Sequence, residues 1–428
     1  MTQQILSTAS RRKIPQTSIF VGGEDLPSYA ENFLYSLASN GFLTVRVNAR
    51  EAKTARENAF ASNDSLDLLG TGKTMLAKRA VTVVKPFEIP QSEHAEVYNC
   101  IRELSLSRGR IVKSQTSVSN QIHTYVDRLL PGFLDSSKSA IHPFSKASLA
   151  LMKNEFSSVK IGRKKCSTLA GQLRKLGTQY PDDTAAKLIA LAKGTLLPNQ
   201  ALVPTRQRVL TPLVEQYENF EKAARAMKVE ASIHLASTPY AFLTSIPGIA
   251  LTISNGFAGE LGAPSRLPAV KSICGYGGVV PRSDQTGGPD SEAKLKSSPR
   301  RCNRVFKHWL MQAVEKVNQF GPVEWKDRAG QWEANGQHTR FLSARSFLRV
   351  SKVLVCRQTT FQCRESLAPN AGKPVRAADA EVAYRIMVNK WKEVPQWQEV
   401  AFGDDTPLGK WRNLMIELFD ADLPLSKR

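Results

Sequence analysis

The spacing of apolar positions near the start of the chain predicts a β-α-β unit. The short run TSIFVGG ends in glycine and predicts a strand. In PSYAENFLYSLASNG, the residues Phe33, Leu34 and Leu37 share one helical face, and Gly41 ends the helix. FLTVRVN then alternates in polarity and predicts a second strand. Two further helices are expected, one over about residues 51–59 and one from the NDSLD stretch through residue 79.

Two longer apolar repeats follow and predict two long helices, over residues 93–130 and 206–231. The repeating positions are Ile101, Leu104, Ile111, Val118, Tyr125 and Leu129, then Leu210, Leu213, Tyr217, Phe220, Ala224 and Met227. Either repeat alone suits an ordinary amphipathic core helix. Because both flank one linker, they favour an antiparallel coiled-coil arm, with a dimer as one option. Residues 131–205 look mixed, and KIGRKK at 160–165 predicts an exposed basic turn.

A third block, over residues 242–320, suggests contact with phosphate. FLTSIPGIALTISNGFAGELG predicts two helices around a turn at Gly248, the form of a helix-hairpin-helix, although an ordinary helical hairpin explains it equally well. A glycine-rich loop with Arg282 comes next. After that loop a helix starts with a basic cluster, namely Arg300, Arg301, Arg304 and Lys307. Aromatic residues anchor small helices in the last eighty residues or so.

Composition strengthens the expectation of a polyanionic partner. The 428 residues carry a formal net charge of +21, with a pI near 9.8. Such a surplus of Lys and Arg favours nucleic acid, with a solvated basic surface or lipid headgroups as alternatives. No apolar run is long enough to span a membrane, and the N-terminus has no secretory apolar region. The six cysteines form no CxxC pair, which predicts reduced thiols in a cytoplasm.

The stretch DLLGTGKT resembles half of a nucleotide-binding loop. Gly72, Lys73 and Thr74 match its second half, but the first glycine is replaced by Asp67. A carboxylate there would repel a polyphosphate, so ATP binding is the weakest of the alternatives. Asp64 and Asp67 lie three residues apart at a predicted helix start, so both can face the same way. A purely structural explanation for this pair is that the two aspartates cap the helix.

The order of these pieces closely resembles the IS-one-ten (IS110) family of insertion-sequence transposases. FLTSIPGIALTISNGFAGELG, GGVVPRSDQTGG and RRCNRVFKHWLMQAV carry the resemblance in the C-terminal block. EDLPSY and NDSLD carry a weaker one near the start. The family includes Piv-type DNA invertases and bridge-RNA-guided recombinases. The resemblance implies a RuvC-like first domain of RNase H topology, with a set of four carboxylates that binds Mg²⁺ or Mn²⁺.

The resemblance also implies roles for individual residues. Glu24, Asp64 and Asp67 match three of the four metal-binding carboxylates, and Thr286 stands where the family has a nucleophilic serine. Ser283 is a nearby alternative nucleophile, and QTGG is otherwise an ordinary turn. Residues 1–23 contain no Asp or Glu to supply the first carboxylate. Either the true start lies upstream, or the domain has lost its activity.

These patterns predict an α/β domain truncated at its start, followed by all-α regions. The expected division is a RuvC-like metal-site domain at 1–90, a coiled-coil region with a basic linker at 91–236, a helix-hairpin-helix-like transposase domain at 237–345 and a helical extension at 346–428. We expect a DNA transposase or recombinase in a bacterial cytoplasm, associated with the nucleoid. Its partners would be DNA, a guide RNA as in relatives, and further copies of the chain. The alternative is a nucleic-acid-binding relative without catalytic activity.

Overall fold

The computed structural model places most of the chain in two compact units, Met1–His94 and Ala95–Arg428. The structure describes residues 2–24, 31–56, 64–77, 81–84, 93–154, 156–280, 282–284, 294–296, 302–320, 337–361 and 377–419. Among the described residues, no helix is both long and apolar enough to cross a membrane. The N-terminal unit combines strands with helices, whereas the second unit is mainly helical.

The N-terminal unit is an α/β arrangement around a small mixed sheet. Its elements are α1 (Thr2–Arg11), β1 (Phe20–Glu24), α2 (Glu31–Ser39), β2 (Leu43–Val47), α3 (Ala49–Thr54), α4 (Asp64–Leu76) and β3 (Val81–Val84). β1 pairs with β2 in parallel, from Phe20 opposite Leu43 to Glu24 opposite Val47. This pairing confirms the predicted β-α-β unit, because parallel neighbours need a crossover between them. β3 adds an antiparallel edge to β2, which the apolar pattern did not predict.

Close helix packing covers this small sheet. Glycine at position 22 of β1 leaves room for the Met75 side chain of α4, which a Cβ atom there would overlap. Gly70 lets α4 lie directly against the carbonyl of Ala52 at α3. α3 ends at Thr54, so the predicted helix over 51–59 is too long within the described residues. The structure therefore seats α4, which carries both aspartates, against β1 and α3.

The second unit is helical and begins with a long arm. Its helices up to the end of the arm are α5 (Glu93–Leu129), α6 (Ser136–Ser139), α7 (Lys146–Lys153), α8 (Ser158–Gly162), α9 (Cys166–Lys175), α10 (Pro181–Gly194) and α11 (Val203–Ala236). α5 and α11 are antiparallel, since the Arg206 guanidinium donates to the Arg128 carbonyl at 3.0 Å while Tyr98 and Leu235 share a core at the other end. Both predicted long helices are confirmed. The predicted basic turn at 160–165 is partly wrong, because α8 includes its first three residues.

Two separate cores lie at the two ends of the arm. The second half of α5 and the first half of α11 pack with α6–α10, in a core that includes Phe133 and Phe156. The start of α5 and the end of α11 contribute to a larger core with all later helices. Between these cores, none of residues 106–117 of α5 is buried. The arm therefore connects two helical cores. Dimerisation through the arms of two copies of the chain stays a prediction.

The larger core is built from the elements that follow the arm. A 3₁₀ helix at Pro239–Ser245 leads into α12 (Leu251–Leu261), α13 (Val270–Tyr276), β4 (Arg282–Asp284), β5 (Lys294–Lys296), α14 (Arg304–Phe320), α15 (Gln337–Arg357), α16 (Ala377–Trp391), α17 (Trp397–Phe402) and α18 (Pro407–Phe419). The first helix of the predicted hairpin is thus a 3₁₀ helix rather than an α-helix. The small C-terminal helices are confirmed, with Trp391, Phe402 and Trp411 buried in this core.

Candidate nucleic-acid interface and carboxylate site

The turn at Gly248 is anchored from beneath by two buried isoleucines. Ile246 and Ile249 are both fully buried, while Pro247 and Gly248 between them are half-exposed. Gly248 has a φ of +86°, a left-handed conformation that favours glycine. The turn therefore presents its backbone to the surface on a rigid base, as a phosphate-binding hairpin requires.

Side chains from the C-terminal helices hold this turn in place. The Lys390 ammonium of α16 donates to the carbonyls of Thr244 and Ile246, at 2.7 Å each. The indole N–H of Trp391 donates to the Thr244 hydroxyl at 3.1 Å, which is buried with it. Burial lowers the pKa of Lys390 to about 7. The region beyond residue 346 thus has a structural role that its sequence did not indicate.

The start of α12 carries no side-chain cap. Its N-cap position is Ala250, which is exposed and has no side-chain acceptor, although its carbonyl accepts from the Ile253 amide at 3.1 Å. Uncapped amides at a helix start attract an anion, helped by the helix dipole. This geometry is compatible with the predicted phosphate contact next to Gly248.

The start of α14 presents basic side chains. Asn303 precedes this helix, and its side-chain oxygen accepts from the Phe306 amide at 2.9 Å, which is the geometry of an N-cap. Arg304 is exposed, and the Lys307 ammonium lies 5.6 Å from the centroid of the Phe341 ring. Arg300 and Arg301 of the predicted basic cluster lie outside the described residues. Among the predicted cations, Arg304 and Lys307 are therefore confirmed at a helix start.

A buried polar network joins α14 to α12 and α5. The Glu260 side chain is only 2% exposed, and it accepts from the Arg102 Nε at 3.2 Å and from the Asn303 Nδ2 at 2.6 Å. The same Asn303 nitrogen donates to the Tyr276 hydroxyl at 2.6 Å. Glu260 is thus a buried carboxylate with two donors, at the centre of three helices.

Of the two predicted nucleophiles, the structure describes only Ser283. Arg282 and Ser283 belong to β4, where Ser283 pairs with Leu295 of β5 in antiparallel register. Thr286 belongs to the stretch 285–293 that connects the two strands in sequence, and it lies outside the described residues. The choice between Thr286 and Ser283 as nucleophile stays a prediction.

The three predicted metal ligands occupy two elements of the N-terminal unit. Glu24 is the last residue of β1, and Asp64 and Asp67 both lie in the first turn of α4. Asp64 is exposed, whereas Asp67 forms an ion pair with Arg56, whose side chain is 6% exposed. Carboxylate oxygens suit Mg²⁺, but Asp67 is already neutralised by a guanidinium. Within the described part of the chain, no three His, Cys, Asp or Glu side chains are placed together to hold a metal ion.

Some of the residues revealed by the structure had a usable signal in the sequence. Glu260 is the one charged residue of an otherwise apolar and small-residue helix, and such a carboxylate needs a partner. Asn303 directly precedes the basic helix and has the residue type of an N-cap. Lys390 had no local signal, because its acceptors lie about 145 residues away in the chain.

Comparison with known proteins agrees with the C-terminal resemblance. The model of the family described as Transposase IS116/IS110/IS902 matches residues 240–326. This segment runs from the 3₁₀ helix before the Gly248 turn to just beyond α14, so it contains both helix starts and the buried Glu260. No curated protein matches the chain.

Proposed function

We propose that the chain is a DNA transposase or recombinase that cuts and rejoins DNA strands, because its residues 240–326 match the model of the Transposase IS116/IS110/IS902 family. The family match is the observation that carries the proposal. It falls on the segment where an uncapped helix start and a basic helix start both lie at the surface. Backbone amides and cations of this kind are the usual contacts to DNA phosphates.

The charge of the chain supports DNA as the partner. A net charge of +21 favours a polyanion, and exposed cations also lie on the arm at Arg110 and Lys113 and near α8 at Arg163 and Lys165. The Gly248 turn, Arg282, Arg304 and Lys307 would hold phosphates near the hairpin between β4 and β5. The basic stretches farther away suit either DNA or a structured guide RNA, as in relatives.

We propose the covalent step at Thr286. Its hydroxyl oxygen attacks the phosphorus of a DNA phosphodiester, and its proton passes to a base. The bond from phosphorus to the leaving deoxyribose oxygen breaks, and that oxygen takes up a proton. The resulting protein–DNA phosphodiester is resolved when a hydroxyl of the second strand attacks and releases Thr286. Since one phosphodiester replaces another at each stage, no external energy source is needed.

The N-terminal unit would supply the carboxylate site of a RuvC-like domain. Glu24, Asp64 and Asp67 are the proposed ligands for Mg²⁺ or Mn²⁺, with the Arg56 ion pair as the competing structural role of Asp67. A bound metal would polarise the phosphodiester and stabilise the attacking or leaving oxygen. We further propose that the protein works as an oligomer in the cytoplasm of a bacterium, on its chromosome.

A denaturing gel of the protein with labelled DNA tests the proposal. Wild type should form a covalent adduct in the presence of Mg²⁺ or Mn²⁺, Thr286→Ser should retain it, and Thr286→Ala should lose it while DNA binding survives. An adduct that persists in Thr286→Ala but vanishes in Ser283→Ala would move the nucleophile to Ser283. DNA binding with no adduct under any metal would contradict catalysis and favour the inactive relative.

The salt dependence of binding is an independent test of the nucleic-acid partner. If six or more phosphates are neutralised, affinity should fall by about 10³-fold or more between 50 and 200 mM salt, because counterions are released on binding. A flat response would exclude a phosphate-based interface, whatever the outcome of the adduct assay.

A further inference from the structure

We propose that Glu260 is a positioning residue for the DNA-binding start of α14. The inference rests on the proposed function, since it assigns the buried network to the placement of Arg304 and Lys307 on DNA. Glu260 itself would not touch DNA, because its side chain is only 2% exposed. It would act through Asn303, which is both its partner and the residue immediately before Arg304.

Each oxygen of the Glu260 carboxylate has its own donor. Oε1 accepts from the Arg102 Nε of α5 at 3.2 Å, and Oε2 accepts from the Asn303 Nδ2 at 2.6 Å. A buried carboxylate is costly unless it is paired and hydrogen-bonded, so these two donors are what makes its burial tolerable. Because the Arg102 side chain is half-exposed, the less solvated of the two contacts is the one to Asn303.

Asn303 uses its whole side chain to connect three structural elements. Its two amide hydrogens serve Glu260 and the Tyr276 hydroxyl, both at 2.6 Å, and its oxygen accepts from the Phe306 amide of α14 at 2.9 Å. Its backbone N–H donates to the Tyr276 carbonyl at 2.8 Å. An asparagine amide has two donors and one acceptor group, so little capacity is left for an alternative placement. The first turn of α14 is thereby tied to α12 and α13.

Two glycines let α12 lie in direct contact with its neighbours. A Cβ atom on Gly259 would meet the Arg102 backbone at 2.7 Å, so α5 lies directly on α12 beside Glu260. One on Gly256 would meet the Trp309 ring of α14 at 2.5 Å. α14 is therefore fixed to α12 at two places, by Trp309 along its length and by Asn303 at its start.

An apolar residue in place of Glu260 would pack α12 without fixing the start of α14. Packing through Trp309 alone leaves a helix free to rotate slightly about its contact, whereas hydrogen bonds have a preferred direction. Buried polar networks rigidify the elements that they join when every member is satisfied. With the network intact, Arg304 and Lys307 are already held in place when DNA binds. Binding therefore does not cost the entropy of ordering the start of α14.

The test exchanges donor and acceptor between the two partners. Glu260→Gln leaves one carbonyl oxygen for two donors, so either Arg102 or Asn303 then faces an amide nitrogen. Asn303→Asp places a carboxylate against Glu260. The double variant Glu260→Gln with Asn303→Asp restores one hydrogen bond, the N-cap and the net charge. Glu315→Gln, an exposed position on α14, is the control for gaining one positive charge. DNA affinity and its dependence on salt are measured well below the melting temperature of each variant.

We expect Glu260→Gln to bind DNA about tenfold more weakly than Glu315→Gln, and Asn303→Asp to bind about tenfold more weakly than wild type. The double variant, which has the net charge of wild type, should recover most of this loss. The slope of log affinity against log salt should become shallower by about 1–2, as one or two phosphate contacts are lost. A purely stabilising role would lower the melting temperature of the single variants and leave that slope unchanged, which would overturn the proposal. If Glu260→Gln does not fold, Asn303→Ser replaces it in the test. Serine keeps an N-cap but loses the Glu260 contact, and the slope of log affinity against log salt is measured in the same way.

The wild-type result separates this inference from the proposed function. A wild type without salt-dependent DNA binding would contradict both. A wild type that binds with a steep slope, together with a Glu260→Gln variant that binds like Glu315→Gln, would contradict only the positioning role.

Discussion

Two of the carboxylates that pair with arginine, Asp67 and Glu260, illustrate how differently the two units are built. Asp67 lies in the first turn of α4 in the N-terminal unit, where its side chain is 33% exposed and pairs with the buried Arg56 side chain. Glu260 lies late in α12 of the helical unit, where it is 2% exposed and has donors on two other elements. Asp67 is accessible enough for a ligand or substrate to compete for it, whereas Glu260 is accessible only to its partners. The contrast suggests chemistry at the first position and positioning at the second.

The cores around these two carboxylates also differ, since one is rich in aromatic rings and the other is formed mainly by small aliphatic clusters. Around Glu260, the Phe257 ring packs against Phe306 and Phe347, with centroids 5.1 and 5.6 Å apart. The described core of the N-terminal unit consists of small aliphatic clusters, such as Leu34 with Ala38 and Val45 with Val47. A dense aromatic core tolerates little movement, while small clusters allow more. The segment that matches the transposase family, residues 240–326, also contributes to the larger core.

The largest predicted effect is a loss of stability when the close contact between α5 and α12, next to Glu260, is disturbed. Gly259→Ala should destabilise the helical unit by about 1–3 kcal/mol, because the new methyl group meets the Arg102 backbone rather than a flexible side chain. Gly109→Ala on α5 is the matched control, since a Cβ atom there meets nothing within 4 Å. The control should gain up to about 1 kcal/mol from helix propensity. Thermal or urea unfolding measures both, and equal effects would show that the close approach of the helices is unimportant.

The second prediction separates the two aspartates of α4. Asp67→Asn should cost about 1–2 kcal/mol of stability, because it removes the negative charge that pairs with the Arg56 guanidinium at a site where the Asp67 side chain is one-third exposed. Asp64→Asn should change stability by less than about 0.5 kcal/mol, since Asp64 is exposed. If both are metal ligands, both variants should lose strand exchange. Full strand exchange in Asp64→Asn would instead show that the pair caps the helix and holds Arg56.

Regular periodicity explains which elements could be predicted. The β-α-β unit and the helices α5 and α11 follow from long, uninterrupted apolar patterns, and the structure contains them. The helices α6 to α8 have four, eight and five residues, which is too short for a 3.6-residue repeat to show. Each starts at a capping Asp or Ser, namely Asp135, Ser145 and Ser157. A capping residue is therefore the local sequence signal for these three short helices.

The candidate site was predictable only where its residues act through local sequence. The turn at Gly248 and the basic start of α14 were found because glycine after proline and clustered cations have a local meaning. The pairs Glu260–Arg102 and Lys390–Thr244 join residues about 150 positions apart, and a single sequence contains no record of such distances. The ion pair between Arg56 and Asp67 spans only eleven positions, yet it depends on how α3 and α4 pack.

The third prediction uses Lys390, a half-buried lysine of the helical unit whose ammonium donates to the carbonyls of Thr244 and Ile246. Burial lowers its pKa to about 7, so the native protein loses this proton above pH 7 while the unfolded chain keeps it up to the ordinary lysine range. The unfolded state then binds more protons, and stability should rise with pH relative to Lys390→Met. The difference should change by about 1 kcal/mol between pH 7 and 8. Lys392→Met, exposed just after the same helix, is the control and should track wild type across this range.

The smallest predicted effect concerns the nucleotide-loop resemblance on α4. Gly70 and Gly72 flank Thr71 in the middle of this helix, and their surroundings differ. A Cβ atom on Gly70 would overlap the Ala52 carbonyl, while one on Gly72 meets nothing within 4 Å. Gly72→Ala should therefore fold normally and gain about 0.5–1 kcal/mol from helix propensity, without loss of DNA binding.

A nucleotide-binding loop would respond in the opposite way. Its glycines wrap the phosphates with backbone amides, so the added methyl group would reduce affinity for the nucleotide. In the structure Gly72, Lys73 and Thr74 lie within the regular helix α4, and the Thr74 hydroxyl donates to the Gly70 carbonyl at 2.8 Å. Their amides are thus part of a helix interior rather than a phosphate loop. Calorimetric titration of wild type with Mg²⁺-ATP should show no binding, and binding that Gly72→Ala weakens would make α4 a nucleotide site after all.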